Sequence, residues 1–318
     1  MWRLAGKVGL SVFLMWIALR GRDFGAASAS ILSVHGWALA LAGGTLCGTL
    51  ILLALRWADV LSAVGHRKPF RLLFPIVLIG QFFNQTLPST IGGDAMRVWL
   101  LHKSGVPGTA ALSSTLIDRL LGILAILLLV TGGTPGMLDL PIDRSIVGGV
   151  MALVAIGYVG LGVAAALDRL PGVFHRINTF RFISAFSADM RKILLSPSFL
   201  WRPLLHGIII QLGVVLIVFT LARGLGHRVD LASCLIIVPL SNLVLALPIS
   251  IGGWGVRENF FVFAFQTVGL QGTEALALSV LYGLLTTAIG LVGGIVWLFR
   301  RERGRAEEIT DRTMSCGE

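Results

Sequence analysis

Long apolar stretches separated by short polar loops dominate the hydropathy pattern of this 318-residue chain. Two apolar segments, 70–102 and 231–268, are broken in the middle by proline and paired glycines. Six other stretches are long enough to cross about 30 Å of hydrocarbon, and they lie near 4–19, 34–55, 109–131, 145–166, 203–222 and 275–299. The pattern predicts an all-α polytopic membrane protein with six full transmembrane helices and two broken segments.

Composition agrees with a membrane environment. Hydrophobic residues make up 55% of the chain and charged residues 13%, with a mean hydropathy of +0.86, which is too apolar for a soluble domain. The net charge of +10 suggests nucleic acid, but the basic residues stand in short clusters between apolar stretches, which favours positive-inside topology. Cys47, Cys234 and Cys316 are scattered, so neither a disulfide framework nor a metal site is predicted, and no cofactor is expected.

The basic clusters predict the orientation of the chain. They follow the second helix, where Arg56 is the first basic residue of the predicted loop, and the first broken segment, fill 169–202, and recur at 300–305. These loops and both termini are therefore predicted to be cytoplasmic, as in a bacterial inner-membrane protein. Segment 70–102 then has both ends on the cytoplasmic side and is predicted to enter and return as a re-entrant hairpin. By the same count, segment 231–268 is re-entrant from outside. The loop 223–230 is predicted to be external although it carries two arginines.

Two regions leave alternatives open. The basic start, apolar stretch and small-residue run within residues 1–30 resemble a signal peptide, but Arg20, Arg22 and Asp23 interrupt that pattern, which favours a retained first helix. Residues 172–196 place aromatic and aliphatic side chains among basic ones. They are equally well interpreted as an interfacial amphipathic helix or as a solvated connector.

An internal repeat divides the chain into halves. The string Leu87-Pro-Ser-Thr-Ile-Gly-Gly-Asp-Ala-Met-Arg97-Val98 and the string Leu247-Pro-Ile-Ser-Ile-Gly-Gly-Trp-Gly-Val-Arg257-Glu258 are identical at six of twelve positions, at a constant offset of 160. The repeat predicts one membrane domain with a first half at 1–144, a second half at 145–300 and a charged cytoplasmic tail at 301–318. Three full crossings in each half require the second half to be inverted, an arrangement typical of transporters with a mid-membrane site.

The repeated motif contains residue types suited to anion binding. Pro88 and Pro248 break the entering helices, and the pairs Gly92-Gly93 and Gly252-Gly253 permit a tight reversal. A short helix starting there would present free N–H groups, which bind anions such as phosphate. Arg97 and Arg257, one turn further on, would add guanidinium groups that bind phosphate in a bidentate manner. Proline and glycine also mark ordinary kinks in membrane helices, but duplication of the whole string favours the functional interpretation.

Ionisable and polar residues extend the predicted substrate site. Asp118-Arg119 lies inside an apolar helix, either as a structural ion pair with Arg97 or Asp94 or as part of a transport site. Asp94 and Glu258 could balance the arginines or accept a proton. The amides of Asn84 and Asn242 lie on the entering arms and either line the same cavity or join helices.

Three motifs together resemble one family. N-x-x-L-P-x-x-I-G-G-D-x-x-R from Asn84 to Arg97, I-D-R from Ile117 to Arg119, and L-P-x-S-I-G-G-x-G-x-R-E from Leu247 to Glu258 resemble the transmembrane, flippase-like domain of lysylphosphatidylglycerol synthases of the MprF type. The resemblance covers nearly the whole chain and implies a bacterial inner-membrane protein that moves or handles lipids. Synthases of this type append a soluble acyltransferase-like domain, and because this sequence stops soon after Arg305, synthase activity is not expected.

These observations predict a lipid transporter or flippase-like protein that holds an anionic phospholipid headgroup between two inverted motifs. The sequence contains no G-x-x-x-x-G-K-[ST] string, so a gradient or a partner would drive transport. Two alternatives stay open: an embedded enzyme acting on lipid-linked substrates, for which no nucleophile arrangement is visible, and a non-catalytic partner of a lipid-modifying enzyme. Membrane lipids are the expected partners, nucleic acid is not, and no enzymatic activity is predicted.

Overall fold

The computed structural model describes Gly9 and residues 13–20, 24–87, 92–138, 144–169, 178–245 and 253–315, with the side chains of 178–181 and 301–315 outside that description. Throughout these residues the regular structure is helical. The helices are α1 (13–19), α2 (Phe24–Leu32), α3 (Gly36–Ala63), α4 (Phe70–Thr86), α5 (Gly92–Lys103), α6 (Gly108–Leu138), α7 (Arg144–Ala166), α8 (Asn178–Leu195), α9 (Pro197–Gly224), α10 (Leu231–Leu245), α11 (Val256–Gln266) and α12 (Gly272–Ser315). The prediction of an all-α polytopic membrane protein is confirmed.

Five helices in the described residues are long and apolar enough to cross a membrane, namely α3, α6, α7, α9 and α12. They correspond to five of the six predicted crossings. The sixth, at residues 4–19, lies largely outside the described residues. α3 continues eight residues beyond its predicted end at residue 55, so Arg56 belongs to a membrane helix and not to a loop.

The helix bounds repeat along the chain. α9 begins and ends 161 residues after α3, and α10 begins 161 residues after α4. The turns after α3 and α9 each contain a glycine at positive φ, Gly65 and Gly226, which is the conformation that a glycine supplies most readily at a helix end. The repeat therefore extends beyond the glycine motif to the length of the helices and the way in which they end.

α3 and α9, whose bounds correspond at this offset, run in opposite directions. At one end of the α3–α9 contact Gly224 lies against Ala38, in the middle Gly213 lies against Thr49, and further along Gly207 faces the guanidinium of Arg56. Residue numbers thus rise along α3 while they fall along α9, so the two helices are antiparallel. An inverted repeat requires this relation between equivalent helices.

Glycines allow close contact between the halves. Gly293 of α12 lies directly against the carbonyl group of Leu78 on α4, and Gly294 lies against the ring of Phe82. On the equivalent helices, Gly133 of α6 lies near Ile236 of α10. The last long helix of each half therefore packs on the first arm of the broken segment in the other half, with small residues at the contact.

The first broken segment is a hairpin in the described residues. Gly93 of α5 lies against Gly80 and Asn84 of α4, and at the open end Lys68 Nζ donates a hydrogen bond to the Ser104 carbonyl at 2.9 Å. Both ends of the described segment are thus on the same side of the molecule. The tip, residues 88–91, lies outside the described residues.

Residues 178–195 form a helix and not an irregular connector. Phe186, Met190 and Ile193 of α8 are buried in a cluster that includes Val60 of α3. The Ser113 hydroxyl donates a hydrogen bond to Asp189 at 3.3 Å, and burial raises the pKa of the Asp189 carboxyl. α8 is therefore anchored across the ends of α3 and α6.

Candidate functional site

Five ionised side chains from three helices form one network. Asp118 of α6 accepts hydrogen bonds from Arg56 Nε of α3 at 2.8 Å and from Arg97 Nη2 of α5 at 2.9 Å. Asp94, in the first turn of α5, is bonded by Arg119 Nη1 at 2.6 Å and lies 3.5 Å from Arg97 Nη1. The network ties α5 and α6 to α3, so it fixes the position of α5 in the helical bundle.

Among the described residues the network carries an excess of positive charge around Asp118, because the guanidinium groups of Arg56 and Arg97 share this one carboxylate. Arg56, Arg97 and Asp118 are buried, with exposed fractions of 6%, 6% and 0%. Charged groups inside a membrane protein are costly unless they have partners or a polar cavity. An unbalanced guanidinium at this depth favours a site that receives an anion.

A cavity of about 350 Å³ adjoins the network. Two buried polar atoms of its lining residues, Arg97 Nε and Gln85 Oε1, have no hydrogen-bond partner in the described residues, and unsatisfied buried polar atoms are costly. The lining residues are Leu53, Arg56, Asn84, Gln85, Asp94, Arg97, Asp118, Arg119, Gly122, Ile123, Ile126, Ile210 and Gln211. The cavity thus joins a polar, positively charged wall to an apolar wall, which suits an amphipathic ligand.

Asn84 and Trp57 hold the arginine-bearing helix in place. Asn84 Oδ1 accepts a hydrogen bond from the Gly93 amide at 3.0 Å, which occupies one free amide at the start of α5. The guanidinium of Arg97 lies 4.2 Å from the centre of the Trp57 ring, within cation–π distance. Asn84 therefore positions α5, while Trp57 supports the guanidinium on its buried side.

Replacing Asn84 with alanine is expected to destabilise the protein by about 1 kcal/mol, because the Gly93 amide loses its acceptor. Thermal unfolding of the purified protein measures the effect. Thr86→Ala is the control, since the Thr86 hydroxyl bonds only the Phe82 carbonyl within its own helix. Equal melting temperatures for Asn84→Ala and Thr86→Ala would show that this bond does not hold α5.

The second motif forms a different cluster. Arg257 Nη2 bonds Glu258 Oε1 at 2.7 Å and Arg257 Nε bonds Ser279 Oγ at 3.2 Å, while the guanidinium lies 4.9 Å from the Trp254 ring and 5.5 Å from the Tyr282 ring. The other Glu258 oxygen accepts the Gly255 amide hydrogen at 2.6 Å. Arg257 thus has a buried counter-ion next to it in sequence, and the cluster is neutral.

The structure brings together part of the predicted site. Asn84, Asp94, Arg97, Asp118 and Arg119 line the cavity, and Asn242 reaches it indirectly by donating a hydrogen bond to Gln211 Oε1 at 2.8 Å. Arg257 and Glu258 are absent from its described lining and, among the described residues, share no partner with the Arg97 network. Gly92 begins α5, Gly93 contacts Asn84, and Gly253 adopts a positive φ beside Leu245. Pro88, Pro248 and Gly252 lie outside the described residues.

Three polar lining residues, Arg56, Gln85 and Gln211, were not predicted as site residues from the sequence. Arg56 was counted as a loop charge that marks the cytoplasmic side. The sequence signal for a helical position is the segment Leu55-Arg-Trp-Ala-Asp59, which continues the preceding apolar helix. The sequence gives no such signal for Gln85 and Gln211, because a glutamine that lines a cavity cannot be distinguished in sequence from one that joins two helices. Within the described part of the chain no group of three or more His, Cys, Asp or Glu could hold a metal ion.

Comparison with known proteins supplies the family. Residues 4–294 match the family described as the lysylphosphatidylglycerol synthase TM region. Two relatives from Methanothermobacter thermautotrophicus, each named UPF0104 membrane protein, are 26% and 24% identical over 78% and 74% of this chain and 80% and 77% of their own lengths.

A third relative is longer. Glycosyltransferase AglD of Haloferax volcanii is 23% identical over 76% of this chain, and the match covers 45% of AglD. These relatives are archaeal, so they do not indicate a bacterial inner membrane in particular. Because the family match extends over nearly the whole chain and agrees with its apolar helices, this multi-pass membrane protein belongs to the lysylphosphatidylglycerol synthase transmembrane-region family.

Proposed function

We propose that this protein moves lipids between the two leaflets of a membrane and that the cavity beside Arg97 holds the anionic headgroup during the transfer. The excess positive charge that results where the buried guanidinium groups of Arg56 and Arg97 share one carboxylate, Asp118, is the observation that carries the proposal. A phosphate group would balance that charge and accept charge-assisted hydrogen bonds from guanidinium groups. The wall formed by Leu53, Ile123 and Ile126 would face the apolar part of the lipid.

The packing of the helices supports an alternating-access mechanism. Antiparallel α3 and α9, together with the reciprocal contacts of α4 with α12 and of α10 with α6, support two inverted halves that could rock against each other around a central site. In this proposal both broken segments are re-entrant, both termini are cytoplasmic, and the hairpin of α4 and α5 enters from the cytoplasmic side. Hairpin backbone at membrane depth is tolerated where it is enclosed by protein or lines a cavity.

The two copies of the motif have different roles in this proposal. In the first copy, Arg97 shares the carboxylate of Asp118, on another helix, with Arg56 and lines the cavity. In the second, Arg257 is neutralised by the adjacent Glu258 and packs between aromatic rings. We therefore assign headgroup binding to the first motif and a structural role to the second.

Replacing Arg97 with glutamine is expected to lower translocation of an anionic lipid by at least about tenfold, which corresponds to about 1.4 kcal/mol of lost interaction. The change removes the excess charge while Arg56 stays paired with Asp118 and Arg119 with Asp94, so each aspartate keeps a counter-ion. The measurement is the movement of fluorescent phosphatidylglycerol and phosphatidylcholine across proteoliposomes, with equal amounts of folded protein.

Arg97→Lys is the matched control, because it keeps the charge and loses only the bidentate geometry. We expect it to retain more phosphatidylglycerol translocation than Arg97→Gln, while phosphatidylcholine movement stays similar in all three proteins. Wild-type rates in Arg97→Gln, or an equal loss for both lipids, would overturn the assignment of the headgroup site.

One observation favours a second candidate function. A relative named as a glycosyltransferase contains a region similar to this chain in 45% of its length, which supports a domain that works beside a lipid-modifying enzyme. Such a partner would co-purify with the protein, and loss of the Arg97 charge would leave its activity unchanged. We propose no chemistry for the chain itself, and lipids recovered after incubation with it are expected to have unchanged masses.

A further inference from the structure

A second groove, of about 630 Å³, lies where α3 begins and α9 ends. Its lining residues are Trp37, Leu41, Leu216, Phe219, Thr220, Arg223, Gly226, His227 and Arg228. Trp37 and Arg56 are 19 residues apart on the same helix, which at 1.5 Å per residue is about 28 Å. The groove is therefore separate from the cavity beside Arg97.

The charged residues that line this groove are basic. Arg223 and Arg228 are exposed, and the Arg223 guanidinium lies 5.9 Å from the centre of the Phe219 ring. The neighbouring acidic groups already have partners: Glu274 accepts the Gln271 amide hydrogen at 3.0 Å and lies 3.6 Å from His227 Nδ1. Asp230 accepts the Ser233 amide hydrogen at 3.2 Å at the start of α10. Two guanidinium groups thus face the groove without an acidic lining residue beside them.

Apolar residues complete the groove. Trp37, Leu41 and Leu216 are 53%, 49% and 41% exposed and line the same groove as the arginines. Tryptophan is typical of the interface between the hydrocarbon and the headgroups, and α3 and α9 are both long enough to span the membrane. A basic group above an exposed apolar strip matches the shape and chemistry of a phospholipid, with phosphate at the surface and acyl chains below.

Without a bound anion, the position of Arg223 and Arg228 is unfavourable. The loop after α9 lies at the end of the molecule opposite the basic loop after α3, because α3 and α9 are antiparallel. Arginines in a short loop on the non-cytoplasmic side run against the positive-inside pattern. Binding of an anion at this surface would account for two arginines in a loop where the positive-inside pattern disfavours them.

We propose that this groove binds an anionic phospholipid of the adjoining leaflet, with its phosphate between Arg223 and Arg228 and its acyl chains along Leu41 and Leu216. The lipid is held through charge-assisted hydrogen bonds to guanidinium groups. This site does not depend on the proposed translocation. The bound lipid remains in its leaflet, and the groove fixes the end of the α3–α9 pair to the membrane surface.

Fluorine NMR of protein labelled with 5-fluorotryptophan tests the proposal locally. The Trp37 resonance is assigned by its loss in Trp37→Phe, and detergent-solubilised protein is titrated with short-chain phosphatidylglycerol, short-chain phosphatidylcholine and inorganic phosphate. We expect phosphatidylglycerol to shift the Trp37 resonance to saturation, phosphatidylcholine to act only at higher concentration, and inorganic phosphate to have little effect because it lacks acyl chains.

The variant Arg223→Gln/Arg228→Gln should raise the half-saturating phosphatidylglycerol concentration by at least about tenfold, as expected from the loss of charge-assisted hydrogen bonds. Arg67→Gln/Arg71→Gln, which changes two exposed arginines near the other end of α3, is the matched control and should titrate like the wild type. Arg97→Gln should also keep the Trp37 response, which separates this site from the translocation cavity. Equal responses to both lipids, an unchanged titration in the double variant, or saturation by inorganic phosphate at the lipid concentration would overturn the proposal.

Discussion

Replacing Asp118 with asparagine is expected to destabilise the protein by about 3–5 kcal/mol, the usual cost of removing one member of a buried ion pair. The Asp118 carboxylate accepts hydrogen bonds from Arg56 at 2.8 Å and from Arg97 at 2.9 Å, and its side chain is fully buried. Asparagine keeps the size of the side chain but removes the carboxylate that Arg56 pairs with and leaves Arg97 the more distant Asp94, at 3.5 Å. The melting temperature and the yield of folded protein in detergent measure the effect.

Asp168→Asn is the matched control for this substitution. Asp168 forms an ion pair with Arg191 at 2.6 Å, but the Arg191 side chain is 31% exposed, so water screens the loss and a much smaller drop in melting temperature than for Asp118→Asn is expected. Combining Asp118→Asn with Arg97→Gln removes one of the two guanidinium groups that lose the Asp118 carboxylate, so the double variant should recover part of the stability. Similar melting temperatures for Asp118→Asn and the wild type would contradict the role assigned to the network.

Replacing Gly293 with alanine is expected to destabilise the contact between α12 and α4 by about 1–3 kcal/mol, since overpacking forces close elements apart. A Cβ at this position would overlap the carbonyl group of Leu78, which is main chain and cannot turn aside like a flexible side chain. Thermal unfolding in detergent measures the change.

Gly132→Ala provides the control from the other half of the chain. Gly132 lies 161 residues before Gly293, and a Cβ there meets nothing within 4 Å. Because alanine also favours helix over glycine, Gly132→Ala should leave the melting temperature unchanged or raise it. Equal losses at the two positions would show that helix–helix contact is not what requires glycine at 293.

Much of the first half of the site could be predicted from sequence because it rests on local chemistry. The proline and the glycine pair predicted a single break between α4 and α5. Charges inside an apolar helix identified Asp118 and Arg119. The sequence analysis also named Arg97 and Asp94 as their possible partners, and the structure pairs Arg97 with Asp118 and Arg119 with Asp94.

What could not be predicted depends on contacts between distant helices. The repeated motif suggested one role for Arg97 and Arg257, but Arg257 is neutralised by Glu258 beside it while Arg97 needs Asp118 from α6. Arg56, the third arginine of the network, was not predicted because the sequence places it in a loop, whereas α3 continues to Ala63. Sequence periodicity contains no information on which carboxylates lie beside Arg56 and Arg97, and the sharing of Asp118 by these two arginines defines the candidate site.

Photolabelling of the cavity with a phosphatidylglycerol that carries a diazirine close to its headgroup tests the central claim most directly. Labelled positions are mapped by peptide mass spectrometry in membranes that contain excess unlabelled phosphatidylglycerol or phosphatidylcholine. The account predicts labelling on the cavity-lining turn of α6 at Gly122, Ile123 and Ile126, which is lost on competition with phosphatidylglycerol and kept with phosphatidylcholine. Labels confined to exposed residues of the same helix, such as Leu112 and Leu128, or lost equally with both competitors, would contradict a headgroup site in this cavity.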